Sequence, residues 1–140
     1  MTVCVDASVI VKLLTPESGS TEALSWLASH AGEQFLAPAS LPAEVGSALR
    51  TKMRRAEMSV AQCTEALGLL NRLAIQYTWD WDLLERAFNL AVELDQPTVY
   101  DTLYLALAEK QQCELWTADM GFVRAASPGY PFVKALTSDS

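Results

Sequence analysis

Four acidic residues, Asp6, Glu44, Asp101 and Asp119, occupy positions from which their carboxylates could act together. Asp6 and Asp119 each follow a short β-prone run, whereas Glu44 and Asp101 fall in the first turns of predicted helices. In an open parallel α/β sheet, the carboxyl ends of strands and the amino ends of helices share one edge, where ligands bind. The acids are 38, 57 and 18 residues apart, so only the folded chain can bring them together.

Clustered carboxylates of this kind favour a bound cation. Two carboxylates about 5 Å apart at an effective dielectric of about 20 repel each other by about 3 kcal/mol. Four clustered carboxylates would therefore either have raised pKa values or bind a cation. Oxygen ligands without histidine or cysteine favour Mg²⁺ or Mn²⁺ over Zn²⁺. Such a metal serves phosphoryl transfer or phosphodiester hydrolysis with water as the nucleophile.

Each acid also has a purely structural interpretation. Asp6 could cap the helix that follows it, and Glu44 could complement a helix dipole. Thr98 and Asp101 have the spacing of a capping box, although Asp is a weaker choice at its last position. Asp119 could be an ordinary turn residue. None of these interpretations explains why all four acids fall at one edge of the expected sheet.

The elements that would position the acids alternate between strand and helix along the chain. Strands are predicted at 3–5, 35–37, 75–78, 115–117 and 132–135. Helices are predicted at 9–14, 21–29, 40–57, 59–73, 80–94 and from 98 or 101 to 111. The segment 103–108 is apolar all round, which indicates a buried helix over a parallel sheet. We therefore predict one α/β domain over 1–136 and a frayed tail at 137–140.

Composition excludes several classes of protein. A length of 140 residues with 51% hydrophobic residues suits a single domain. A net charge of −7 excludes a generally basic nucleic-acid coat protein, so a polyanionic partner would need a local basic patch or a bound metal. Three scattered cysteines exclude a disulfide scaffold and a structural zinc site. The sequence has no membrane-length apolar run and no basic leader, so we expect a cytoplasmic protein.

The motifs that contain the acids occur in the order of a known family. They are VDASVIVKLL at 5–14, PAEV at 42–45, VYDTLYLALAE at 99–109 and LWTADMGF at 115–122. The chain resembles the PIN-domain nucleases, and within them the VapC-type toxins of prokaryotic type II toxin–antitoxin pairs, from about residue 3 to 133. The resemblance implies a three-layer α/β/α sandwich around a five-stranded parallel sheet.

The resemblance also implies a function and a set of site residues. It assigns the family's acidic quartet, which holds the metal, to the four acids above, and its accessory hydroxyls to Ser8 and Thr117. It implies Mg²⁺- or Mn²⁺-dependent cleavage of RNA, often by a homodimer, and neutralisation by a small cognate antitoxin. The helices predicted at 21–29 and 59–73 would help to form the dimer and antitoxin surfaces, although simple packing on the sheet explains them equally well.

Basic residues are concentrated on the predicted helix that carries Glu44. That helix contains four of the ten basic residues: Arg50, Lys52, Arg54 and Arg55. They could bind RNA phosphates beside the metal, or they could form a solvated helix end whose cations suit the dipole. An acidic protein needs a local basic patch to hold RNA, which favours the first interpretation. Lys12 and Arg124 could also border the site.

The histidine and the tryptophans have structural interpretations. His30, the only histidine, ends a predicted helix and is expected to interact with its carboxyl terminus. The tryptophans are expected in the core, with Trp79 and Trp81 the best candidates for base stacking if they are exposed. A single histidine gives a His-based nuclease or a Ser-His-Asp hydrolase little to build on.

Three other classes of α/β protein compete with a nuclease. A receiver domain needs a phospho-accepting Asp after its third strand, and a haloacid-dehalogenase-type phosphatase needs Asp-x-Asp after its first; neither pattern is present. A PIN-like module that binds metal or RNA without efficient cleavage remains open. The RNA target, the number of metal ions and the identity of the antitoxin are also left open.

Overall fold

The computed structural model describes residues 1–136, so the tail predicted at 137–140 lies outside the described residues. Its strands are β1 (Thr2–Val5), β2 (Gln34–Pro38), β3 (Ile75–Thr78), β4 (Glu114–Thr117) and β5 (Val133–Ala135). They form one sheet in the order β3-β2-β1-β4-β5, and every neighbouring pair is parallel. Parallel neighbours require crossover connections, which the helices provide.

Helices cover both faces of this sheet. They are α1 (Ala7–Leu14), α2 (Ser20–Ser29), α3 (Leu41–Arg54), α4 (Val60–Arg72), α5 (Trp81–Glu93), α6 (Tyr100–Gln111) and α7 (Met120–Ala126). α6 packs on β1, β2 and β4 and is covered by α5, while α1 packs against α2, α3 and α4. The fold is the expected three-layer α/β/α sandwich. No helix within 1–136 is both long and apolar enough to span a bilayer.

The centre of the core lies where β1 meets α6. Val3, Cys4 and Val5 are all buried, because neighbouring strands flank β1 and helices cover its faces. On α6, every residue from 102 to 108 is buried. A helix that is apolar all round is stable only when it is enclosed. The prediction of a buried helix at this point is therefore confirmed.

The strand register brings the carboxyl ends of the strands together. Val5 of β1 pairs with Trp116 of β4, and Pro38 of β2 pairs with Thr78 of β3. Residues that follow these strands therefore emerge at one edge of the sheet, with neighbouring strands about 4.8 Å apart. The sequence predicted that Asp6, Glu44, Asp101 and Asp119 lie at this edge.

Two local predictions need correction. The helix α7 was not predicted, because seven residues that include Gly121 are too few to show a helical period. Asp119, interpreted as a turn residue, caps this helix by accepting a hydrogen bond from the Phe122 N–H at 3.1 Å. The capping box suggested for Thr98 and Asp101 is absent, since α6 begins after Val99 without a side-chain cap.

Candidate active site at the carboxyl edge of the sheet

Asp6 is the most constrained of the four acids. It directly follows β1, its N–H donates to the Trp116 carbonyl at 3.0 Å, and it is 5% exposed. Its Oδ2 atom accepts hydrogen bonds from the Ser8 N–H at 3.1 Å, the Ser8 hydroxyl at 2.5 Å and the Thr117 hydroxyl at 3.2 Å. None of the hydrogen bonds within residues 1–136 reaches Oδ1. The carboxylate is therefore held by one oxygen and keeps the other for a ligand.

The hydroxyls of Ser8 and Thr117 orient Asp6. The Ala118 N–H donates to Ser8 Oγ at 2.9 Å, and the Asp119 N–H donates to Thr117 Oγ1 at 3.1 Å. Because each hydroxyl oxygen accepts a backbone N–H, its own proton is free to point at Asp6. This geometry makes both residues positioning groups for the carboxylate.

Glu44 is held by two residues that the sequence did not single out. Its Oε2 atom accepts hydrogen bonds from the Tyr104 hydroxyl at 2.7 Å and from the Ser40 hydroxyl at 3.1 Å. Tyr104 is fully buried on α6, and Ser40 stands at the start of α3 without capping it. The sequence did contain an indication of this contact, because Tyr104 lies in the apolar segment 103–108 and a buried tyrosine usually needs a hydrogen-bond partner for its hydroxyl.

Asp101 and Asp119 complete the group of acids. Asp101 lies in the first turn of α6, and the neighbouring Asp119 carboxyl is one of the groups that raise its pKa. Asp119 also caps α7, so it belongs both to the acidic group and to the start of that helix.

The pKa values show that the acids lie within electrostatic reach of one another. Burial and, to a smaller extent, the charge of Asp6 raise the pKa of Glu44 to about 7. The hydrogen bond from Tyr104 acts in the opposite direction and lowers this pKa. Burial, the charge of Asp6 and the contact with Asp119 raise the pKa of Asp101. Burial also raises the pKa of Asp6, although the hydrogen bonds from Ser8 and Thr117 lower it. Without a cation, some of these carboxyls hold protons at neutral pH.

This donor set fits a hard divalent cation. It consists of carboxylate oxygens, with Asp6 Oδ1 free to bind, and the charge of Asp6 raises the pKa of both Glu44 and Asp101. Oxygen donors of this kind suit Mg²⁺ or Mn²⁺ better than Zn²⁺. Among residues 1–136, no three acidic, histidine or cysteine side chains are already arranged around a common point. A cation would therefore have to draw mutually repelling carboxylates together.

A cleft of about 430 Å³ opens beside the acids. Its lining includes the acidic Glu44 and Asp119 together with the basic Lys12, Lys52 and Arg55. A larger pocket of about 800 Å³ lies at the opposite edge of the sheet, around Thr2, Glu33 and Cys113, and contains none of the four acids. The smaller cleft is the candidate site, because the groups able to do chemistry lie there.

The predicted basic patch divides into two parts. Arg55 lines the cleft, and Lys52 lines it while paired with Glu17 and Glu57. Arg50 and Arg54 are exposed on α3 but do not line the cleft. Arg124 is exposed on α7 and also lies outside the cleft lining.

His30 has the structural role predicted for it. Its Nδ1 lies 2.8 Å from the Trp26 carbonyl in the last turn of α2, and its ring stacks on the buried Trp26 at a centroid distance of 4.6 Å. The core assignment is wrong for Trp79 and Trp81, which are 56% and 75% exposed. Both follow β3, which is an edge strand of the sheet that residues 1–136 form.

Known proteins share sequence features and the fold of this chain. The family model described as PIN domain matches residues 3–128. The chain is 35% identical over 128 residues to Ribonuclease VapC1 of Mycobacterium tuberculosis. These 128 residues cover 91% of each of the two chains. The structure is similar to that of PAE2754 from Pyrobaculum aerophilum, with a TM-score of 0.70 and 21% identity over 97% of this chain and 92% of that one. It is also similar to VapBC2 from Rickettsia felis, solved bound to a DNA fragment from its promoter, with a TM-score of 0.64 and 15% identity over 96% and 97% of the two chains.

Proposed function

Because the chain belongs to the PIN domain family, we propose that it is a divalent-metal-dependent endoribonuclease that hydrolyses RNA phosphodiester bonds. The observation that carries the proposal is the convergence of Asp6, Glu44 and Asp101 beside an open cleft: the charge of Asp6 raises the pKa of both Glu44 and Asp101. The 35% identity to a protein named a ribonuclease supports RNA as the substrate.

The four acids would hold Mg²⁺ or Mn²⁺. When bound, such an ion lowers the pKa of a water molecule and neutralises charge on the reacting phosphate. The chain supplies the positions of the ligands: Ser8 and Thr117 fix Asp6, while Tyr104 and Ser40 fix Glu44. Each carboxylate is held through one oxygen by neutral donors, which orient it without neutralising its charge.

The basic side chains of the cleft would bind the RNA strand. With a net charge of −7, the protein as a whole repels a polyanion, so affinity has to come from local contacts. Lys12, Lys52 and Arg55 line the cleft beside the acids. We assign Arg50 and Arg54 to contacts with phosphates farther along the RNA strand.

We further propose that the protein is the toxin of a toxin–antitoxin pair and acts in the cytoplasm as a homodimer. Its similarity to VapC1 and to a VapBC2 complex supports a small antitoxin partner. Leu24 on α2 and Val60 on α4 are exposed, which supports contact surfaces on those helices. The largest exposed apolar side chains of α5, Trp81 and Phe88, offer a third such surface.

Cleavage of total RNA by the purified protein tests the proposal. Reactions with Mg²⁺, Mn²⁺ or EDTA are compared with Asp6→Asn, whose folding is checked by circular dichroism. We expect discrete fragments that disappear with EDTA and with the variant. Cleavage that survives both would contradict the proposed site, and binding without cleavage would identify a metal- or RNA-binding module instead.

A further inference from the structure

One wall of the cleft carries an ion-pair cluster built on Glu17. Glu17 lies in the corner between α1 and α2, and its two carboxylate oxygens contact different lysines. Oε1 lies 3.3 Å from Lys12 Nζ of α1, and Oε2 contacts Lys52 Nζ of α3. The three side chains are only 17–23% exposed. Two ammonium groups from separate helices thus converge on a single anion inside the candidate site.

The ammonium group of Lys12 is held in place independently of Glu17. It donates a hydrogen bond to the Ser18 carbonyl at 2.6 Å. Its aliphatic stem packs against Gly19, where an added Cβ would lie 3.0 Å from Lys12 Cδ. Since a lysine has three N–H donors and two are used here, one remains available for a ligand.

The Glu17 carboxylate is the movable member of the cluster. Its backbone is fixed, because the Glu17 N–H donates to Ser20 Oγ at 2.9 Å and the Ser20 N–H donates to the Glu17 carbonyl at 3.1 Å. Within residues 1–136, the carboxylate itself accepts hydrogen bonds and ion pairs only from the two lysines. Despite partial burial, their hydrogen bonds and charges lower the pKa of Glu17, so it is ionised at neutral pH. It can rotate away without breaking any other bond.

We propose that Lys12 and Lys52 form a binding subsite for a phosphodiester group, which Glu17 occupies until the RNA backbone displaces it. A phosphodiester resembles a carboxylate in carrying one negative charge on two exposed oxygens, and lysine is a common phosphate ligand. The subsite shares its cleft with Ser8, Glu44 and Asp119, so it would bind a phosphate next to the one being cleaved. The identity of the ligand as RNA rests on the proposed function.

Displacement of this kind makes Glu17 an internal competitor of the substrate. The carboxylate keeps two lysines ordered and paired in the free protein, which avoids leaving like charges together in a partly buried cleft. The competition lowers affinity for every RNA sequence alike, because it acts on a backbone contact. Removing the competing charge should therefore strengthen binding.

The direct test is RNA binding in EDTA, where no cleavage occurs. Fluorescence anisotropy with a labelled single-stranded RNA of mixed sequence compares the unaltered chain, Glu17→Gln and the control Glu57→Gln. Glu57 lines the same cleft but is 49% exposed and lies 3.9 Å from Lys52 Nζ, so its variant removes an equal charge without freeing the subsite. We expect about fivefold tighter binding for Glu17→Gln and less than a twofold change for Glu57→Gln. Equal or weaker binding by a folded Glu17→Gln would show that Glu17 is only a structural brace.

A second measurement keeps the inference testable if Glu17→Gln does not fold. Nitrogen-15 NMR of the lysine ammonium groups in the unaltered protein should show the Lys12 and Lys52 signals shifting on addition of RNA. Unchanged signals at saturating RNA would overturn the inference. Inorganic phosphate is added in a parallel titration, and an equal response at the same phosphate concentration would overturn the assignment to an RNA strand.

The two proposals fail in different ways. If Glu17→Gln binds RNA more tightly but the protein cleaves no RNA with any metal, the subsite stands and the proposed nuclease activity is wrong. If the protein cleaves RNA and Glu17→Gln does not bind it more tightly, the nuclease activity stands and the subsite is wrong.

Discussion

The Tyr104 hydroxyl donates a 2.7 Å hydrogen bond to Glu44 Oε2, which connects the buried segment 102–108 of α6 to the acidic edge of the sheet. The two residues are 60 positions apart in the chain. The bond fixes the rotamer of Glu44 from the interior, so the packing of the core determines where one candidate metal ligand points.

Tyr104→Phe should impair activity more than stability. The variant keeps the ring in the core but removes the hydrogen bond that orients a candidate metal ligand, so cleavage at pH 7 should fall roughly tenfold or more. Because this bond lowers the pKa of Glu44, its loss raises that pKa, and the defect should be smaller at pH 9. Tyr100→Phe, which alters an exposed tyrosine on the same helix, is the control. An unchanged pH profile for Tyr104→Phe would argue against the positioning role.

The metal-free protein should lose stability as the pH rises from 5.5 to 8. Asp6, Glu44 and Asp101 have pKa values that are raised in the folded state. A carboxyl whose pKa is higher in the folded chain stabilises the fold fully at pH values below its pKa in the unfolded chain, which is about 4. This stabilisation is lost as the pH rises through the pKa in the folded chain, which is about 7 for Glu44. We expect the melting temperature in EDTA to fall by at least about 3 °C. Mg²⁺ should reverse the loss, and a melting temperature that rises over this interval would contradict the electrostatic picture.

Asp101→Asn should separate activity from stability. It removes a charge that burial, Asp6 and Asp119 all disfavour, so the metal-free variant should melt at a higher temperature than the unaltered chain at pH 8. Cleavage should fall by at least about 100-fold, because a candidate ligand of the cation is lost. Asp82→Asn, at an exposed acid in the first turn of α5, should change neither property. Retained cleavage by Asp101→Asn would remove this residue from the site.

Thr117→Val tests the hydroxyl that orients Asp6. The substitution preserves shape but removes a donor to Asp6 and leaves the Asp119 N–H without its acceptor, which should cost about 1–3 kcal/mol of unfolding free energy. We expect cleavage to fall about tenfold and half-maximal activity to require more Mg²⁺. Thr102→Val is the matched control, since Thr102 is equally buried but donates to the nearby Val99 carbonyl. Equal losses of activity in the two variants would indicate a general packing effect.

Gly19→Ala should disturb Lys12 as well as the backbone. Gly19 has φ +92°, which disfavours any residue with a Cβ, and its added methyl group would lie 3.0 Å from Lys12 atoms. Gly32 has φ +88° with no neighbour within 4 Å, so Gly32→Ala measures the backbone strain alone, about 1 kcal/mol. We expect a larger loss of unfolding free energy for Gly19→Ala, together with weaker RNA binding. Equal losses in chemical denaturation would mean that Lys12 adjusts freely.

Much of the architecture could be predicted because it depends on local patterns. Alternating strands and helices, the buried helix at 103–108 and the acids at strand ends all follow from residue periodicity and from the geometry of parallel sheets. The caps of two helices could also be predicted, since Ser59 and Asp80 each accept a hydrogen bond from the backbone N–H three residues later. The short helix α7 was missed because seven residues do not establish a period.

Contacts between distant elements were decided only by the tertiary structure. The bonds from Tyr104 and Ser40 to Glu44 and the bridge from Glu17 to two lysines depend on the angle and register at which helices pack. The same packing places Arg55 in the cleft and leaves Arg50 and Arg54 outside it. By itself the sequence determined the five strands, the helices α1 to α6, their order and the chemical groups that end them, because those properties depend on neighbouring residues. Which side chains then meet depends on long-range packing, for which local periodicity holds no information.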